Sequence, residues 1–357
     1  MQVLFTCGRE PEYPRNAILR TCLERSFSVL PVTEGTPWLP LRYARLAIRL
    51  LRTPPNYDLM CVGFLGQPLM PLARQLTRKP IMLDAFLSIY DTLCFDRCCF
   101  KPYSLVGQLA FRLDRASCAL ADLVVLDTQA HADYFCRTFG VPPTKLRSLF
   151  VGCDERVFYP CSDDSTSSLV LFYGSFLPLQ GIDVIIRAAK LLEAAPKIRF
   201  RIIGKGMEYA RIRHLADILD VQNVEFRPPV PLSQLPNEIA QAAVCLGGHF
   251  STIDKATRVI AGKTFQCLAM GKPTVVGDNI ANRELLTPGY DAWFCPMGNP
   301  EALASAILTL IHAPELRAYL GRNAYQTFLA RASIDVLSQQ VRQMVERLIN
   351  SGTGWRS

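Results

Sequence analysis

Short apolar runs alternate along the chain with longer stretches whose apolar positions recur every three or four residues. The first set of runs is Val3–Cys7, Leu59–Gly63, Ile81–Ala85, Leu123–Asp127 and Leu149–Gly152. A second set follows at Leu169–Tyr173, Ile198–Ile203, Val224–Phe226, Val244–Gly247 and Thr274–Val276. Each run leads into turn residues or a helical period, which predicts parallel strands covered by helices. The helical period is plainest over Ile182–Glu193, Glu208–Leu219, Leu232–Ala242, Lys263–Met270, Pro300–His312 and Ile334–Asn350. Between the two sets lies a polar stretch rich in Ser and Asp, Cys161–Ser168. It reads as a linker. The pattern therefore predicts an α/β protein of two doubly wound, Rossmann-like domains facing each other across a cleft. Their expected bounds are residues 1–160 and 169–330, joined by 161–168, with a final helical segment at 331–357. Ligands of such sheets bind at the carboxyl ends of the strands, where loops run into helices.

Composition narrows the chemistry. The chain has 357 residues, half of them hydrophobic and 20% charged, with a formal net charge of +8. A modest basic excess suits an acidic ligand such as a nucleoside diphosphate, and equally an anionic membrane surface or nucleic acid, so alone it decides nothing. Nucleic acid is not an expected partner. The 13 cysteines are irregularly spaced and lack paired metal-ligand spacing, so they read as reduced thiols of a cytoplasmic protein. The apolar start, MQVLFTCG, has no basic region before it and reads as a first strand rather than a signal peptide. No run is long enough to span a bilayer.

Several loops could carry chemistry. Gly174-Ser175 ends a strand, and Gln180-Gly181 precedes a helix; small residues let backbone N–H groups approach an anion at a helix start. The same loop is also readable as a plain strand–helix connection. Gly204-Lys205-Gly206 follows the next strand, and its other reading is an ordinary turn with an exposed lysine. The stretch from Asp254 to Val276 is richest. Gly262 opens a helix, Arg258 and Lys263 bracket its start, and Gln266 lies in its first turns. Two cations with free N–H groups make a diphosphate seat, and an amide can bond two neighbouring ribose hydroxyls. Glu284 lies in the polar loop after the following strand. In the first half, Arg9 and Arg15 follow the first strand and are candidates for meeting phosphate or acceptor. Asp84 ends another strand; it is a candidate for binding hydroxyls or catalysis, and equally a helix cap. His249, after Gly247-Gly248, stands apart from the other three histidines, which fall in helical patterns. No Asp-x-Asp pair occurs, so no metal site is expected, and Arg, Lys and helix dipoles must meet the charge of a leaving diphosphate.

These residues, taken in order, resemble the family 4 (group 1) glycosyltransferases of the GT-B superfamily. The resemblance rests on Ala121-Asp122 with Asp127-Thr128 and His131, on Val151-Gly-Cys-Asp154 with Val157-Phe-Tyr-Pro160, and on Gly174–Gly181. It continues through Ile203–Gly206, Lys263–Pro273, Arg283–Leu286 and Asn299–Leu303. It implies a GT-B fold with acceptor on the first domain, sugar nucleotide mainly on the second, and a final helix crossing back to the first. It further implies transfer of a sugar to a glycan or lipid-linked acceptor, with retention of configuration. It also implies no metal and no cofactor beyond the nucleotide-sugar co-substrate. Three positions depart from the family. Many relatives carry Lys or Arg where Gln180 stands and Glu where Gln266 stands, and a second Glu often occupies the place of Arg258. The departures keep open a catalytically silent partner subunit, beside a sugar-nucleotide epimerase on the same fold.

Leu41–Arg52 reads as a basic amphipathic helix. Arg42, Arg45, Arg49 and Arg52 share one face, and Leu41, Ala44, Ile48 and Leu51 form an apolar stripe beside it. One reading is a peripheral contact with the inner face of a membrane. The other packs the apolar stripe on the first sheet with the arginines solvated.

Overall fold

The computed structural model describes residues 1–160 and 168–352. The chain divides into two compact units, Met1–Val151 together with the segment from Ile334 onward, and Gly152–Ser333. The linker expected at 161–168 lies, but for Ser168, outside the described residues.

The first unit is built from β1 (Gln2–Cys7), α1 (Pro14–Glu24), β2 (Ser28–Pro31), α2 (Leu39–Arg52), β3 (Leu59–Gly63), α3 (Met70–Leu76), β4 (Ile81–Asp84), the single turn α4 (Ile89–Asp91), α5 (Leu105–Leu120), β5 (Leu123–Leu126), α6 (Gln129–Phe139) and β6 (Leu146–Ser148). Its six parallel strands run in the order β2-β1-β3-β4-β5-β6. Its inner strands are apolar on both faces, as a sheet covered on both sides requires. Alternate residues serve opposite layers. Leu4, Met60, Val62, Leu83 and Val124 pack with Leu46 and Leu50 of α2, Met70 and Ala73 of α3 and Phe135 of α6. Val3, Phe5, Leu59, Cys61, Met82 and Val125 pack with Ile18 and Leu19 of α1 on the other face.

The second unit contains β7 (Leu169–Tyr173), α7 (Ile182–Leu191), β8 (Arg199–Ile203), α8 (Tyr209–Ile218), β9 (Val224–Arg227), α9 (Leu235–Ala240), β10 (Val244–Gly248), α10 (Gly262–Ala269), β11 (Thr274–Gly277), α11 (Ile280–Leu285), β12 (Trp293–Cys295), α12 (Pro300–His312) and α13 (Pro314–Arg331). The strand order is β12-β11-β10-β7-β8-β9, all parallel. In chain order within the unit this is the 3-2-1-4-5-6 arrangement of dinucleotide-binding sheets. Its direction reverses between β7 and β10. The last helix, α14 (Ile334–Gly352), belongs to the first unit: Ile334, Leu337, Val341 and Val345 complete the core beside α1.

Four elements differ from the sequence expectation. The edge strands β2 and β12 are short, and β2 ends in Pro31; such strands carry too few residues for a period to show. The sixth strand of the first sheet is Leu146–Ser148, not Leu149–Gly152, although the Leu149 N–H still donates to the Leu126 carbonyl at 2.8 Å. Helix α2 also turns another side inward. Leu46, Leu50 and Arg42 are buried, while Ile48 and Leu51 of the expected packing stripe are exposed. Arg42 is held by the carbonyls of Thr36 and Gly8 and by Glu10. Among the described residues, no helix is long and apolar enough to cross a membrane.

The docking of α14 sets a test. Leu337 is fully buried, and truncating such a leucine costs about 2–5 kcal/mol. Leu337→Ala is expected to lower the urea midpoint accordingly; an unchanged midpoint would contradict the packing of α14 into this core.

Candidate functional site

The loops at the carboxyl end of the second sheet interlock through glycines. Gly174 follows β7 with φ of +142°, and Gly204 follows β8 with φ of +149°. A Cβ on Gly204 would stand 2.0 Å from the Gly174 carbonyl oxygen, so only glycine fits. The Phe176 N–H donates to the Lys205 carbonyl at 2.9 Å, tying the two loops together. On the other side of β7, Gly181 packs against the backbone of Phe250 and Ser251, where a Cβ would be 2.4 Å from the Ser251 nitrogen. Beneath the loops a small apolar cluster of Leu179, Ala256 and Val259 joins turn 178–180 to turn 254–257.

At the reversal between β7 and β10 lies Lys263. It is in the first turn of α10 and its residue is only 7% exposed. Its Nζ donates to Gln180 Oε1 and stands 4.6 Å from the centroid of the Phe172 ring. Gly174 and Gly248 wall it so closely that a Cβ on either would sit 3.4 Å from its Cε or Nζ. It makes no ion pair among the described residues. Burial pushes its pKa down from the usual lysine value to about 7. A buried cation whose hydrogen-bond acceptor is a neutral amide is costly, and an entering anion would relieve that cost.

Helices α11 and α12 are capped by Asn279 and Asn299, whose side chains accept N–H bonds. Helix α10 begins after Ala261 and α7 after Gly181, neither with a side-chain cap. Nothing lies within 4 Å of where a Cβ on Gly262 would be. The N–H groups and positive dipole end of α10 thus add to the field of Lys263.

Gln266, one turn along α10 from Gly262, is half-buried. Tyr173 donates its hydroxyl to Gln266 Oε1 at 2.9 Å. That bond fixes the amide so that its N–H groups are the ones available to a ligand. His249 is buried, its Nδ1 has no partner, and burial together with the charges of Lys263 and Lys255 holds its pKa well below the usual histidine value. It is therefore neutral at physiological pH.

The structure thus gathers Gly174, Gln180, Lys263 and, through Tyr173, Gln266. Ser175 and Lys205 are exposed on the neighbouring loops. Arg258 is buried, and its guanidinium pairs with Asp254; Glu284 is half-buried on α11. Phe172, Tyr173 and Gly248 were not singled out in the sequence. The Gly247-Gly248-His249 run after a strand was the available signal for that wall.

In the first unit the candidates serve one another. Arg15 and Asp84 are both fully buried and form a forked ion pair, with Arg15 Nη2 2.8 Å from Asp84 Oδ1 and Nε 3.0 Å from Oδ2. Arg15 Nη1 also donates to the carbonyls of Leu149 and Phe150. Burial raises the Asp84 pKa and the Arg15 charge opposes that rise. The geometry gives this pair a structural task, clamping α1 to β4 and to the end of the sheet. Arg9 is partly exposed, pairs with Glu10 at 2.8 Å and lies over Tyr13.

Residues 162–327 match the family described as glycosyl transferases group 1. Among curated relatives, a D-inositol 3-phosphate glycosyltransferase of Saccharomonospora viridis is 27% identical over 252 residues, 63% of this chain and 56% of that one. An uncharacterized glycosyltransferase of Methanocaldococcus jannaschii is 22% identical over 200 residues, 56% of this chain and 53% of that one. The chain spans about half the length of these relatives. Among solved structures, sucrose-phosphate synthase from Thermosynechococcus elongatus superposes with a TM-score of 0.79 at 15% identity, covering 98% of this chain and 100% of that one. HepE of Anabaena, in complex with UDP, gives 0.71 at 17% identity, covering 97% and 100%.

The chain has the GT-B fold. In this GT-B protein the group 1 match falls on the unit that holds Lys263.

The burial of Lys263 makes a signed prediction about stability. Unfolded, the lysine stays protonated up to its usual value of 10.5; folded, it loses its proton near 7. Its penalty is therefore full below pH 7 and fades as pH rises towards 10.5. Lys263→Met is expected to raise the melting temperature of the ligand-free protein at pH 6 by more than at pH 9.5. An equal change at both pH values would show that the lysine is not desolvated.

Proposed function

We propose that the chain is a glycosyltransferase that moves a sugar from a nucleoside diphosphate sugar to a glycan or lipid-linked acceptor, with retention and without a metal ion. The observation that carries the reading is Lys263, buried at the uncapped start of α10 between Gly174 and Gly248 and without an ion-pair partner among the described residues. That arrangement suits a diphosphate. As the glycosidic bond to the leaving phosphate breaks, negative charge grows on the diphosphate. Lys263 and the N–H groups of Gly262 and Lys263 stabilise it there, which is electrostatic catalysis by groups already in place. The amide N–H groups of Gln266 meet ribose hydroxyls. Ser175, Lys205, Arg258 and Glu284 supply the rest of the donor pocket, and the first unit, with Arg9, recognises the acceptor. The UDP and UDP-glucose complexes of HepE favour a uridine nucleotide. A peripheral position on the cytoplasmic face of a membrane belongs to the reading, because a lipid-linked acceptor is held there.

A second reading, a silent partner subunit, is kept by one observation. Gln180 and Gln266 are neutral where many relatives carry charge, and Lys263 spends a hydrogen bond on Gln180. The two readings separate on nucleotide binding. Thermal shift with UDP, GDP, ADP and CMP, with and without EDTA, is expected to show one clear shift, for UDP, unaffected by EDTA. At a hundredfold excess over Kd the ligand stabilises by about 2.7 kcal/mol. Lys263→Met is expected to weaken UDP at least about tenfold, the loss of a bond to a charged group. No shift with any nucleotide at millimolar concentration favours the silent partner.

A further inference from the structure

The segment from α4 to the end of α5 sorts its charges by side. Its acidic residues Asp91, Asp96 and Asp114 are all buried, at 1%, 3% and 0% exposure. Asp114 accepts from the Ser88 hydroxyl and the Tyr90 N–H, which anchors the start of α4. Its basic residues Arg97, Lys101, Arg112 and Arg115 are all exposed, and none forms an ion pair among the described residues. The same outer surface carries large apolar side chains. Tyr103 is 72% exposed and Leu105 75%, with Phe95, Phe100 and Leu109 between 43% and 53%. Soluble chains rarely leave such a run of aromatic and aliphatic groups in water without using it.

A second surface of the same kind lies in the same layer of the first unit. Helices α2, α3 and α5 lie side by side, with α3 in contact with both of its neighbours. The outward side of α2 presents Ile48 and Leu51 beside Arg45, Arg49 and Arg52, and Trp38 stands exposed just before it. Arg45 and Arg49 have only a distant carboxylate, Glu34 at 3.9 Å. Leu46 and Leu50 of α2, Met70 of α3 and Cys118 of α5 share one core cluster with Leu4, Val62 and Leu83 of the sheet, so both surfaces stand on one side of it.

We propose that this layer docks on an anionic lipid bilayer, with residues 95–112 as the main contact and α2 as the second. The inference rests on the membrane placement in the functional reading above and names the surface that achieves it. Apolar tips enter the interface while arginines and lysines stay at the headgroups, the arrangement of an interfacial anchor. Charge complementarity selects the occupant. With the acidic groups of the α4–α5 segment turned inward, the outer surface attracts anionic headgroups and gains nothing specific from a neutral apolar partner.

The test is flotation of the whole chain with vesicles of phosphatidylcholine alone and of phosphatidylcholine with 30% phosphatidylglycerol. Three proteins are compared: the natural chain, the variant R97Q/K101Q/R112Q/R115Q, and the variant F100S/L105S/L109S. The natural chain is expected to float with the anionic vesicles and not with the neutral ones. Each variant is expected to partition at least about tenfold less. Every substituted side chain is exposed, and thermal shift with UDP reports separately whether fold and nucleotide site are intact. A natural chain that binds UDP but neither vesicle overturns the docking surface and leaves the transferase reading standing. Equal flotation of natural chain and variants also overturns it. So does sedimentation showing a dimer that the apolar variant dissociates, since the surface would then be covered by a second copy.

Discussion

The desolvated amine of Lys263 is the constraint on which the candidate site of the second unit depends. Lys263 stands at the reversal of strand order, with Gly174 and Gly248 as its walls, the Phe172 ring within 4.6 Å and Gln180 as its acceptor. Burying a lysine without a carboxylate is unfavourable, and the fold carries that strain where it is useful. The glycines follow from it. Gly174, Gly204 and Gly206 adopt positive φ, and the close approach of the Gly174 carbonyl to Gly204 lets the two loops lie against each other. At the starts of α10 and α7, Ala261 and Gly181 stand where a serine or asparagine would satisfy the first N–H groups. A side-chain oxygen there would occupy the N–H groups that a diphosphate needs.

The first unit handles its buried charge in the opposite way. Arg15 and Asp84 satisfy each other, with two backbone carbonyls taking the remaining guanidinium protons. Such a pair contributes order rather than binding, because neither partner retains an unmet bond strong enough to attract a ligand. Arg42 is treated similarly, its guanidinium shared among Thr36, Gly8 and Glu10. Buried charge alone therefore marks no site; what sets Lys263 apart from these two arginines is that no carboxylate pairs with it among the described residues.

Much of this was legible in the sequence because it is local. Strand ends followed by small residues, and the bracketing of Gly262 by Arg258 and Lys263, are written within a few residues of one another. They located the loops of the second unit and the sheets beneath them. What escaped depends on elements distant in sequence. Phe172 and Tyr173 reach Lys263 and Gln266 only because β7 lies beside β10, and no spacing within either segment announces it. The pairing of Arg15 with Asp84 joins α1 to β4 in the same way. Helix α2 escaped for a different reason. Its line of Leu46 and Leu50 and its line of Leu41, Ala44, Ile48 and Leu51 are both apolar, so periodicity alone did not decide which faced the sheet.

In the proposed reading, Lys263, its pKa held at about 7 by burial, takes up a proton as a diphosphate binds. Titration calorimetry of UDP binding at pH 8, in buffers of differing ionisation enthalpy, measures the proton change directly. With a starting value of about 7, uptake is expected to approach one proton per nucleotide at pH 8, to fall away by pH 6 and to be absent in Lys263→Met. Binding heats independent of buffer at pH 8, or the same uptake in the methionine variant, would contradict it.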